Sequence, residues 1–310
     1  MLTRIAVVAL NAYRESVRAR ILHGLFALAL LTNGYALIVA AYAPRIRMRA
    51  VSDLGSASTS LYAIVVAIVL GATSLHRELE LKTIFPILAR PIRRAEYLTG
   101  KLFGTVLTLA VFIATNAGAL LLALAAMSGR SFSLVLGGLV LLSSSVGLAA
   151  WKLARARTFL PLVVALVLFS AGALLANGAP DDRRVVMGSA TLTLCEVLVV
   201  ASIATLFSAF SSPFLTAVFT LSVFVVGRSA DTLVKLPVRL FGPAIHGAGA
   251  VLAKVVPNLM WYVPPRPLLT GEAVGESLGT HLVLAAGYAV CWAALLLTLA
   301  AWVFKRRDFL

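Results

Sequence analysis

A chain of 310 residues that is 61% hydrophobic and only 13% charged cannot cover itself with polar side chains, because soluble domains keep about a quarter of their residues charged. With a mean hydropathy of +0.98 this excludes an ordinary soluble enzyme or binding module and predicts a single membrane domain solvated by lipid. The net charge of +15 does not imply a nucleic-acid partner, because the Lys and Arg residues sit in short segments between apolar runs, where topology and anionic headgroups account for them.

Residues 1–20 read as an amphipathic helix. Arg4, Asn11, Arg14 and Arg18 recur on one face, and Leu2, Ile5, Ala9 and Tyr13 on another. Such a helix lies in the cytoplasmic interface ahead of the first span, unless the periodicity belongs to a tail. The apolar run at 5–10 is too short for a secretory signal and is followed at once by charge, so the N-terminus is expected to be retained.

Spans are predicted at 21–43, 56–75, 102–127, 133–151, 158–176, 190–210, 214–226 and 281–304. The third opens with Gly100 and Gly104, a pair that permits close helix approach. The seventh is short for a crossing and is either a span or a re-entrant segment. Residues 228–280 hold six prolines and the pair Trp261 and Tyr262, and read as extracytoplasmic and interfacial. The fold expected is therefore an all-α transmembrane bundle of about eight spans with both termini cytoplasmic; the segments this puts inside hold 16 of the 27 Lys and Arg residues. Cys195 and Cys291 both lie in apolar runs and suggest neither a disulfide nor a metal site.

The connection between the second and third spans, residues 76–101, has the most specific pattern. Pro86 and Pro91 force Phe85 and Arg90 out of helical geometry, leaving room for one short turn before a new helix starts near Ile92. The result is a compact, charged element projecting from the membrane. A basic loop obeying the positive-inside rule would explain its cations, but not its two prolines, its glutamates and its Gly100–Lys101 step.

The order Glu78, Glu80, Thr83, Leu88, Pro91, Arg94, Leu98, Gly100, Lys101 resembles the signature that ABC-2 type permeases carry after their second span. The stretch VPNLM at 256–260 and the C-terminal KRRD resemble members of the NosY and GldF type. The resemblance implies a permease subunit of an ABC transporter, in a bacterial inner membrane and more often an exporter than an importer. It implies that 76–101 is a coupling element seated on a separate ABC ATPase, with Glu78, Glu80, Thr83, Leu88, Pro91, Arg94, Gly100 and Lys101 as its coupling residues. It also implies that 1–20 is the interfacial elbow helix and that two permease chains pair, as a homodimer or with a paralogue. The family usually has six spans, so 133–176 reads as an additional hairpin and six remains the alternative count.

No GxxxxGK[ST], HExxH, CxxC or GxSxG run occurs, so the chain is expected to bind no cofactor or metal, ATP being bound by the partner subunit. Glu196 is the intramembrane acid. A carboxylate at that depth costs a few kcal/mol against lipid, so it should face protein, water or an arginine, as a substrate- or gate-lining group or as a helix-packing hydrogen bond. Asp53, ahead of the second span, reads as structural. Three other functions stay open: force transmission to an extracytoplasmic partner through 228–280, secondary transport, and a membrane-embedded enzyme.

Overall fold

The structure is a computed structural model that describes residues 2–80, 93–129, 158–235, 238–272, 275 and 277–306. Every regular element among them is helical. In chain order the α-helices are α1 (Leu2–Val17), α2 (Arg20–Tyr42), α3 (Arg47–Glu80), α4 (Arg94–Met127), α5 (Leu160–Leu175), α6 (Pro180–Ser208), α7 (Pro213–Arg228), α8 (Ala230–Val234), α9 (Val238–Val255), α10 (Arg266–Thr270) and α11 (Leu278–Arg306), with 3-10 turns at Ala176–Gly178 and Leu259–Tyr262. Six of the helices are long and apolar enough to cross a bilayer: α2, α3, α4, α5 with its 3-10 extension, α6 and α11. The predicted span at 133–151 lies outside the described residues.

Three of the six form the centre. In their most apolar stretches α4 and α6 are each 61% buried and α3 is 56% buried, against 17–22% for α2, α5 and α11. The reason is readable in the side chains. The central helices carry Ser58, Thr59, Thr108, Asn116, Thr193, Glu196 and Ser202, all buried, and lipid offers such groups no partner. Several hydroxyls satisfy themselves on the preceding turn, as Thr108 does on the Gly104 carbonyl at 3.0 Å and Ser202 on the Leu198 carbonyl at 2.7 Å. The outer helices turn Leu31, Leu174 and Val283 outward, each at least 70% exposed, which is the lipid-facing pattern.

Helix α1 forms with the two faces expected of it: Arg4, Asn11, Arg14 and Arg18 are exposed, and Tyr13 is fully buried. Its buried face lies on α4 at Gly100 and Gly104. A methyl group at Gly100 would stand 2.7 Å from Val8 Cβ, and one at Gly104 only 2.6 Å from Ala12 Cβ, so neither position has room for a side chain. The close-approach pair joins α4 to the N-terminal helix.

Two helices begin well before the predicted spans. Helix α3 begins at Arg47 rather than near Ser56, which sets Arg49 one turn from Asp53, 3.5 Å away. Helix α6 begins at Pro180, because proline is preset for a first helical turn and Asp181 and Asp182 favour its positive end. The run PDDRR is thus the start of a helix. Between α7 and α11 the described residues make only short or broken helices. Helix α9 is interrupted at Gly242, whose φ of +77° suits glycine alone, followed at once by Pro243.

Candidate functional site

Helix α7 has 16 residues, a length of about 24 Å, which is less than the hydrocarbon core it would have to cross. It stops inside the bundle at Arg228. The α6 residue opposite is Glu196, 1% exposed, whose two carboxylate oxygens accept from Arg228 Nε at 2.7 Å and Nη2 at 2.9 Å. Ser60 of α3 donates to the same carboxylate at 3.4 Å and accepts from Arg228 Nη2 at 3.4 Å. A bidentate pair of this kind satisfies a buried carboxylate better than any single donor could. The arginine also closes the C-terminal end of α7, where the helix dipole favours a cation, and its guanidinium lies 5.6 Å from the Phe224 ring. One contact thereby ties α3, α6 and α7 together.

Above this pair is a cleft of about 620 Å³. Ser56, Ser60, Ser189 and Thr193 supply hydroxyls to its walls, Leu61, Ile64 and Phe224 supply apolar surface, and Arg228 lies among them. The 3-10 turn Leu259–Tyr262 closes one side. Tyr262 is buried there, its hydroxyl 3.5 Å from the Ala285 carbonyl, and burial pushes its phenol well above the ordinary range, so it stays neutral. Asn258 holds the turn in place. Its side chain accepts from the Met260 N–H and donates to Asp231, and its own N–H donates to the Tyr288 hydroxyl at 2.8 Å. Trp261 stacks on Tyr288 and His281 with ring centres 5.7 and 6.0 Å apart.

The rim of the cleft is a charged knot around Arg266, just before the leucines of α10. Its Nη1 donates to Asp53 and, at 3.2 Å, to Ser52; its Nη2 donates to Asp182 at 2.5 Å. Ser52 closes the ring by donating to Asp182 at 2.7 Å. Asp53 therefore has a structural partner and, with Asp182, binds the non-spanning segment to the N-terminal ends of α3 and α6.

The residues of the 76–101 pattern fall differently. Glu78 and Glu80 close α3, with side chains outside the described set, and Thr83, Leu88 and Pro91 lie outside the described residues. Arg94 opens α4 and donates from Nη1 to the carbonyls of Phe304 at 2.8 Å and Lys305 at 3.1 Å, in the last turn of α11. Leu98 is buried with Tyr97, Ala300 and Phe304. Lys101 is 5% exposed, with Nζ 5.6 Å from the centre of the Tyr97 ring. Gly100 meets α1, as described above. The structure brings Arg94, Leu98, Gly100 and Lys101 together at a joint of α1, α4 and α11.

Sequence reasoning found Glu196 and missed Arg228, Ser60 and Arg266. Arg228 has a signal of its own, a cation at the end of an apolar helix too short to cross. Ser60 and Arg266 have none, because their partners come from helices far away in sequence.

Among known proteins, the model of a family described as ABC-2 family transporter protein matches residues 6–309. The chain matches no curated protein. Matched over nearly its whole length, and with six long apolar helices, this multi-pass membrane chain belongs to the ABC-2 transporter family as a membrane permease subunit of an ABC transporter.

Proposed function

We propose that the chain couples ATP hydrolysis by a separate ABC ATPase subunit to export through the bacterial inner membrane, with residues 76–101 as the element on which the ATPase docks. One observation carries this reading. Helix α3 runs unbroken for 34 residues, about 50 Å, and holds the cleft residues Asp53, Ser56 and Ser60 in its first half and Glu78 and Glu80 at its far end. A rigid rod of that length transmits a displacement of its cytoplasmic end to the outer cleft. Arg94, at the far side of the same element, is tied to the last carbonyls of α11, so a push there also reaches the final span.

In this scheme the cleft between α3, α6 and α7 is the outer part of the path, and the Glu196–Arg228 pair is its floor in the closed state. Two permease chains pair over two ATPases, which supply the phosphate-binding loops that this chain lacks; this chain itself performs no catalysis. The Pro-rich segment at 228–280 faces the extracytoplasmic side and meets any protein partner there.

The test is replacement of Glu80 and Arg94 together by alanine in the complex reconstituted in vesicles with its ATPase. Stimulated ATP hydrolysis should be lost while membrane insertion and the amount of chain recovered stay at the wild-type level. Unchanged coupling would remove 76–101 as the docking element. An intact ATP-driven response without vesicle transport of any solute would favour force transmission to an outer partner over export.

A further inference from the structure

We infer that the cleft between the end of α1 and the start of α5 binds the phosphate of an anionic phospholipid from the inner leaflet. Arg14 and Arg18 stand one helical turn apart and both are exposed. Among the described residues neither guanidinium has an ion-pair or hydrogen-bond partner, whereas Arg49, Arg228 and Arg266 are each paired with a carboxylate. The two line a cleft of about 240 Å³ with Val17 and Thr158. That volume has room for a phosphate group.

Thr158 brings a hydroxyl to the cleft and leads directly into α5. That helix starts with no side-chain cap and no acid in its first turn, so the positive end of its dipole has no charged partner on the helix itself. Two arginines and a hydroxyl line one small cleft two residues before the start of α5, and a basic pocket between helices at the cytoplasmic surface is the arrangement that holds acidic headgroups. The acyl chains have a path: Val163 and Leu166 are exposed on α5 immediately beyond the cleft. Arginine rather than lysine at both positions suits two-point contact with phosphate oxygens. The inference rests on the cytoplasmic placement of α1 proposed above, but lipid retention can be measured without knowing the sidedness or the transported solute.

The experiment releases the full-length chain from nanodiscs of mixed phosphatidylglycerol and phosphatidylcholine into a mass spectrometer and counts the lipid retained. The wild type should keep phosphatidylglycerol in preference to phosphatidylcholine, and Arg14→Gln with Arg18→Gln should reduce that retention about tenfold. Arg45→Gln with Arg47→Gln, the same change of charge on exposed residues of the outer half, should leave it unchanged. Equal retention by the Arg14/Arg18 variant, or an equal loss in the Arg45/Arg47 control, overturns the site. Thermal stabilisation of the detergent-solubilised chain by inorganic phosphate, matching that by phosphatidylglycerol and lost with Arg14 and Arg18, would assign the cleft to free phosphate and overturn the lipid.

Discussion

Glu196 and Arg228 are 32 residues apart in sequence, yet two hydrogen bonds of 2.7 and 2.9 Å join them inside the bundle, with the carboxylate sealed from solvent. Each explains the other's position. A lone carboxylate or guanidinium at that depth is costly, and the pair lets a helix too short to span end there. Removing one partner leaves an uncompensated charge. Glu196→Ala or Arg228→Ala should therefore destabilise the chain by about 3–5 kcal/mol, and the double variant Glu196→Gln with Arg228→Gln by much less than the sum. Thermal unfolding in detergent measures this; additive losses would show that the two side chains act independently.

Gly104 marks the crossing of α1 over α4. Gly104→Val should force the helices apart and cost about 1–3 kcal/mol, because its side chain would meet Ala12 and the α1 backbone. The exposed Gly24 has no neighbour within 4 Å, and Gly24→Ala should be neutral or slightly stabilising. Limited proteolysis of the N-terminal segment distinguishes the two, with α1 cut faster only in the Gly104 variant.

Arg266 holds the non-spanning segment to α3 and α6 through Asp53 and Asp182. Arg266→Ala should loosen this rim, leaving Asp182 without its cation and Asp53 with Arg49 alone. Faster hydrogen exchange at Arg266–Thr270, with the exchange of α4 unchanged, is the expected result. Uniform exchange throughout the chain would mean that the knot stabilises the whole fold instead of the rim.

Sidedness can be read at Glu272, exposed just after α10. In a background lacking Cys195 and Cys291, a cysteine at position 272 should react at once with an impermeant thiol reagent added outside whole cells. Protection from outside, together with labelling in inverted vesicles, would put 228–280 on the cytoplasmic side.

Tyr262 gives a pH-dependent prediction. Its phenol is raised by burial, so above pH of about 10 the unfolded chain loses this proton before the folded one does, and stability falls by up to about 1.4 kcal/mol per pH unit. Below that pH the residue has no effect on the slope. Tyr262→Phe should flatten the alkaline decline relative to the wild type; parallel curves would show that the phenol ionises freely.

Composition and apolar length were enough to make the chain a helical membrane protein, because lipid permits few other ways to satisfy a backbone. The two prolines and the charge order of 76–101 carried its family resemblance. Glu196 was visible too, since an acid in an apolar run needs a reason. What answers that acid was decided only by tertiary structure. Arg228, Ser60 and the Arg266 knot come from segments that share no period or motif, and they meet because α3, α6 and α7 cross at one place. Local pattern likewise placed the span limits at the first charges, whereas α3 and α6 continue past Asp53 and Asp182, whose carboxylates find Arg266 beyond the apolar runs. Hydrophobicity is a property of each residue in turn, and so it can be read along a chain. The pairing of buried charges depends on which helices become neighbours, and that is settled only when the bundle closes.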